Sequence, residues 1–141
     1  MALICDTGGI YALYDADDAH HAAVRAAVEA EVGPLYLPAI LLAELDYLLT
    51  TRLGVDAELD FLDGLTDGAY VLIHPTADDL IRCRELIAQY RDLPLGLADA
   101  SVAATAERLG IPRLLTVDER HFRVIQPRSW SHFVLLPADI V

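Results

Sequence analysis

Ala2-Leu3-Ile4-Cys5-Asp6-Thr7-Gly8-Gly9 follows Met1, and the reading of this stretch decides the fold class. Its unbroken apolar run suits a strand buried on both faces, as in parallel sheets. The run ends on an acid, and Thr7, Gly8 and Gly9 turn the chain into a helix. Ligand sites of open α/β sheets lie outside the carboxyl ends of the strands, so an aspartate placed there is a candidate for chemistry. The design recurs late in the chain, where Leu114-Leu115-Thr116-Val117 leads into Asp118.

Between these stretches the apolar period is that of helices, interrupted by short strands. A helix is expected over residues 19–31, a strand over 35–37, and a helix from Pro38 to about residue 53, stopped by Gly54. Residues 55–66 are helical in period, 69–73 read as a strand, and 77–90 as an amphipathic helix. After a loop with Pro94 and Gly96, a helix over 97–109 ends at Gly110 and Pro112. A last strand near 133–136 closes an edge. Alternation of this kind, without repeats or linkers, predicts an α/β sandwich with a mostly parallel central sheet. With 141 residues, 55% of them apolar, one domain covering residues 1–141 is expected.

No apolar run approaches the roughly 20 residues that span a bilayer, and no basic stretch precedes an apolar one at the amino terminus. The expected compartment is therefore the cytoplasm, without membrane attachment. Cys5 and Cys83 lie on an apolar strand and a helix, which suits buried thiols better than a disulfide or a zinc site. The formal net charge of −12 opposes simple electrostatic binding of nucleic acid, but it is unevenly distributed. Residues 1–70 hold 13 acids and 2 arginines; residues 71–141 hold 9 acids and 8 arginines. Arg108, Arg113, Arg120, Arg123 and Arg128 are expected to form a surface able to touch phosphates. The chain has no lysine, which excludes P-loop NTPases and kinases.

Four of the 22 acids stand where a solvated helix face does not explain them. Asp6 and Asp118 follow buried strands. Glu44 shares a helix face with Ile40, Leu41 and Leu48, whereas Asp46 is rotated by about 200° toward solvent. Asp99 heads the stripe Val102, Ala103 and Ala106, opposite Arg108. Competing explanations are capping by Asp6 or Asp118, and pairing of Glu44 or Asp99 with Arg52 or Arg91. If all four acids meet in one crevice, each pair about 4 Å apart repels by about 4 kcal/mol at an effective dielectric near 20, so the cluster recruits cations or protons. Without a persuasive His or Cys partner set, oxygen ligands select Mg²⁺ or Mn²⁺. Such ions bind phosphates directly and promote phosphodiester hydrolysis. His20 and His21 are not counted among the site residues, and Trp130 and most tyrosines are assigned to the core.

Asp6-Thr7-Gly8 also spells the signature of aspartic proteases, but the helical period over 38–53 and 77–109 contradicts their all-β fold. Receivers and haloacid-dehalogenase-like phosphotransferases fail on the absent lysine, and the latter also on Gly8, where a second aspartate is needed.

The pieces in order are the apolar strand ending in Asp6-Thr7, a helix with Ala43-Glu44-Leu45, Asp92-Leu93-Pro94-Leu95-Gly96-Leu97-Ala98-Asp99-Ala100, and Leu115-Thr116-Val117-Asp118-Glu119-Arg120-His121-Phe122. Together they resemble the PIN-domain family, and within it the VapC type of toxin ribonuclease, over nearly the whole chain. The resemblance implies a PIN-like three-layer α/β/α sandwich with a parallel sheet of about five strands. It implies Mg²⁺ or Mn²⁺ held by Asp6 and Asp99, with Glu44 and Asp118 completing the acidic pocket, and an RNA substrate such as tRNA or ribosomal RNA. A cognate VapB-type antitoxin and a homodimer are the implied partners. Gly8-Gly9 departs from the Ser-Ala common in relatives, and Asp92 recurs in them without an assigned role. The alternative is a PIN scaffold that binds RNA or protein without turnover.

Overall fold

The computed structural model describes residues 1–139. The chain opens with β1 (Leu3–Cys5), followed by α1 (Thr7–Tyr14), α2 (His21–Ala30) and β2 (Leu35–Pro38). A single 3-10 turn, Ala39–Leu41, leads into α3 (Leu42–Arg52), α4 (Val55–Thr66) and β3 (Val71–Ile73). Next come α5 (Ala77–Gln89), α6 (Leu97–Leu109), β4 (Arg113–Leu115), α7 (Glu119–Phe122) and β5 (Val134–Leu136). The strands are shorter than their apolar runs, because Ala69, Tyr70, Thr116 and Val117 fall outside the ladders.

The five strands form one sheet in the order β3-β2-β1-β4-β5, and every adjacent pair is parallel. Right-handed crossovers carry the chain from β1 through β2 to β3, then back past β1 to β4 and β5. The reversal puts α1 to α4 on one face of the sheet and α5 to α7 on the other, which makes the three layers. Winding changes direction between β1 and β4, so connections leave those two strands on opposite faces and open a crevice beyond their carboxyl ends.

Position in the sheet explains the unbroken apolar runs. Leu3, Ile4 and Cys5 of the central strand, and Leu114 and Leu115 beside it, are fully buried. In α6 every residue from Ala100 to Ala106 is buried, and small side chains let it pack against α5, β1 and β2 together. α5 starts with a capping box in which Thr76 Oγ1 accepts the Asp79 N–H and the Asp79 carboxylate accepts the Thr76 N–H. α6 stops at Gly110, whose φ of 70° is left-handed, as the Gly-Pro pattern requires.

Gly9 has a tighter reason to be glycine. A Cβ there would stand 2.4 Å from the Leu115 carbonyl oxygen, so α1 closes against β4 only if that position has no side chain. The departure at Gly9 therefore has a packing reason in the first turn. Both cysteines are free and buried. Among the described residues, no helix is long and apolar enough to cross a membrane.

Candidate functional site

Asp6 occupies the N-cap position of α1, yet its side chain makes no cap bond. Its Oδ2 instead accepts a hydrogen bond of 2.8 Å from Thr116 Oγ1, in the segment leaving β4. The Asp6 N–H donates to the Leu115 carbonyl at 2.9 Å, so backbone and side chain both tie the end of β1 to β4. Only 5% of Asp6 is exposed. Burial pushes its carboxyl up to about 7; the charges of Asp99 and Asp118 add to this, while the Thr116 hydroxyl works against it.

Asp118 does cap a helix, as the competing explanation held. Its Oδ1 accepts the His121 N–H at 3.0 Å and starts α7. The other oxygen, Oδ2, lies 2.6 Å from His121 Nδ1, so capping leaves half of the carboxylate for the site. The Asp118 N–H donates to Thr116 Oγ1 at 3.0 Å. Thr116, 1% exposed, thus accepts from Asp118 with the same hydroxyl oxygen that donates to Asp6.

Asp99 comes from the first turn of α6 and is partly buried. Burial raises its carboxyl above the usual range, as do the charges of Asp118 and Glu44, whereas His121 lowers it. Glu44 itself is exposed, in the first turn of α3. On the face it was expected to share, Leu41 is buried and Leu48 half-buried, so Glu44 is the open position of an otherwise covered stripe. This turn follows the carboxyl end of β2, and the Glu44 charge is felt at Asp99. Asp46, expected to point to solvent, is exposed too. Neither Glu44 nor Asp99 pairs with an arginine among the described residues; Arg52 lies over the Tyr11 ring, 5.4 Å from its centroid.

His121 is the site residue that the sequence reading passed over. Its Nδ1 is 2.6 Å from Asp118 Oδ2 and 3.5 Å from Asp99 Oδ2. Its Nε2 is buried without a hydrogen-bond partner, as is Thr7 Oγ1 next to Asp6 in the chain. The available signal was the spacing from Asp118: a residue three positions after an N-cap returns to the capping side chain. Asp99, Asp118 and His121 each offer one donor atom, and these atoms lie within 4.8 Å of one another. Hard or borderline donors at this spacing, beside a carboxyl raised chiefly by burial and further by the charges of Asp99 and Asp118, fit a divalent cation.

Most of the expected arginine surface is tied up in ion pairs. Arg108 pairs with Asp79, Arg113 with Glu31, Arg123 with Glu119 and Asp139, and Arg128 with Glu85. Most of these acids are remote in sequence, Glu119 alone being local, and only Arg120 of the five has no ion pair among the described residues. His20 lines a cavity of about 240 Å³ with Thr116, Val117 and Glu119, behind the acids rather than among them. His21 Nδ1 lies 2.8 Å from the Ala12 carbonyl and joins α2 to α1. Trp130 packs on Phe133 at 6.2 Å between ring centroids, as a core residue.

An acid cluster at the switch point of a five-stranded parallel sheet is the arrangement of an α/β fold of the nuclease kind. The chain belongs to the PIN-domain family: residues 3–126 match the family model described as PIN domain. It is 36% identical over 135 residues to Ribonuclease VapC26 of Mycobacterium tuberculosis, covering 96% of this chain and 100% of that protein. Among solved structures, it superposes on VapC20 of the same organism, a sarcin-ricin loop cleaving toxin, with a TM-score of 0.76 and 22% identity over 82% of this chain and 89% of that one. VapBC2 from Rickettsia felis, solved with a DNA fragment from its promoter, gives a TM-score of 0.66 at 18% identity over 96% and 97% of the two chains. The expected fold class and family stand; the two structures support the fold alone.

Proposed function

We propose that this chain is a single-domain endoribonuclease of the VapC type, dependent on Mg²⁺ or Mn²⁺ and held inactive by a cognate VapB-type antitoxin. The observation that carries the reading is the meeting of Asp6, Asp99 and Asp118 at the carboxyl ends of β1 and β4, within reach of the Glu44 charge. The relationship to a named ribonuclease over 96% of this chain supports RNA as the substrate; tRNA or ribosomal RNA is the proposed class. The VapBC2 neighbour supports the antitoxin, and a homodimer is the proposed assembly.

Asp6, Asp99, Asp118 and Glu44 would hold the cation. A bound divalent ion supplies Lewis acidity to the scissile phosphodiester and eases ionisation of the attacking water. The chain's own residues prepare for it. Thr116 fixes the Asp6 carboxylate with one hydrogen bond and the Asp118 backbone with another. The cap on α7 fixes the Asp118 side chain. These restraints hold the carboxylates together against their repulsion before substrate arrives, the preorganisation that electrostatic catalysis needs. The acids also repel RNA phosphates, so the substrate binds productively only when a cation neutralises them.

The test is cleavage of total cellular RNA by purified protein with Mg²⁺, Mn²⁺ or EDTA, comparing the parent with Asp99→Asn. Discrete, cation-dependent fragments are expected from the parent, with the folded variant at least about 100-fold slower, the upper end of what even an outer-shell change costs. Cleavage by Asp99→Asn at the parent rate would show that the site is misassigned. Absence of cleavage by folded, cation-loaded parent would favour the binding-only scaffold.

A further inference from the structure

We propose that His121 is a direct ligand of the cation, a nitrogen donor in an otherwise carboxylate site, and that it biases the site toward first-row transition dications such as Mn²⁺ over Mg²⁺. The inference rests on the divalent-cation reading above and adds a residue to it. Three geometric facts carry it. His121 Nδ1 stands 2.6 Å from Asp118 Oδ2 and 3.5 Å from Asp99 Oδ2, so an imidazole nitrogen and two carboxylates converge on one point. The donor atoms of these three residues lie within 4.8 Å of one another, so side-chain shifts of about half an ångström bring all three to one ion with bonds of about 2.1 Å. Finally, Nε2 is buried without a partner, so the hydrogen bond between Nδ1 and Asp118 Oδ2 orients the ring, and a cation bound there takes the place of the shared proton, which leaves to solvent or moves to Nε2.

The ring has little freedom to turn away. α7 is one turn long, capped by Asp118 through the His121 N–H, and pinned at its end by Phe122, which is 1% exposed and packs edge-on against Phe133. The backbone that fixes one ligand therefore fixes the other. Donor chemistry supplies the selectivity. Mg²⁺ prefers oxygen ligands and retains its water, whereas imidazole favours transition ions. Replacing one oxygen donor by nitrogen weakens the claim of Mg²⁺ on the site and strengthens that of its competitors.

Pulsed electron paramagnetic resonance of Mn²⁺ bound to the full chain reads this directly, without reference to turnover. The parent is expected to show nitrogen modulation of the Mn²⁺ echo, changed to the ¹⁵N pattern when its histidines are ¹⁵N-labelled. In His121→Gln the modulation disappears, Mn²⁺ affinity falls by about 10- to 100-fold, and Mg²⁺ competes correspondingly better. The labelled parent gives the answer even if the variant folds poorly. Mn²⁺ bound to the parent without nitrogen modulation would overturn the proposal and leave the carboxylate site standing. So would modulation that persists in His121→Gln, since it would come from another histidine. If Mn²⁺ does not bind the parent at all, the divalent-cation reading falls together with the proposal.

Discussion

Thr116→Val removes one hydroxyl and nearly nothing else, and the structure sets the size of the effect. Without it, buried Asp6 loses its side-chain donor and the Asp118 N–H loses an acceptor. A buried polar group left unpaired costs about 1–3 kcal/mol, and water can replace part of the loss at half-buried Asp118, so a total of about 2 kcal/mol is expected. At about 2.1 cal/mol/K of unfolding entropy per residue, that lowers the melting temperature of a chain this long by about 7 °C. A second effect is on protons. The hydroxyl pulls down a carboxyl already raised to about 7, so its loss raises Asp6 further and loading with Mn²⁺ requires a higher pH. The assays are a thermal melt in EDTA and a pH series of Mn²⁺ binding, with Thr116→Ser as the control that keeps both bonds. Melting within about 1 °C of the parent, with an unmoved binding profile, would refute the claim that this hydroxyl joins the two acids.

Gly9→Ala should destabilise the fold by about 3 kcal/mol or more, seen in urea denaturation, because its methyl meets the Leu115 carbonyl oxygen; an unchanged midpoint would mean that α1 can lift off β4. Glu58 is buried with Oε2 unpartnered, and burial, then the Asp46 charge, raises its carboxyl. Since the folded state holds that proton more tightly than the unfolded chain, stability drops as pH climbs from the unfolded carboxyl range to the folded value. Glu58→Gln should flatten this slope in a melt-versus-pH series and gain about 1 kcal/mol at neutral pH; a parent slope retained in the variant would assign it elsewhere. Glu44→Gln should slow RNA cleavage by about 10-fold or more, while Asp46→Asn, two residues on, leaves it nearly unchanged. Equal losses in the two would show that net charge, not placement at the crevice, matters.

The sequence made the architecture legible wherever burial was complete. Leu3-Ile4-Cys5 and Leu114-Leu115 are apolar because both faces are covered, and Asp6 and Asp118 stand out only against such runs. Asp99 was legible for the same reason, since α6 is buried on all sides beyond it. Glu44 was harder, because a helix turn beside an open crevice carries the periodicity of a core-facing one without being covered. Arginine clustering in sequence misled: the partners Asp79, Glu31 and Glu85 come from α5 and the end of α2, and pairing across elements leaves no trace in local composition. His121 was missed because its role depends on a one-turn helix too short to show a period.

The register of β1 with β4, Ile4 opposite Leu114 and Cys5 opposite Leu115, has a consequence for the timing of synthesis. The central strand is made more than a hundred residues before β4, so one of its edges stays unpaired over that stretch of synthesis. Because Thr116, Asp118 and His121 arrive with the missing neighbour, a partly translated chain has neither the hydroxyl that orients Asp6 nor a complete ligand set. Pairings of such long sequence separation also form slowly. During synthesis the chain is therefore present for an interval before the acids of the site can be brought together.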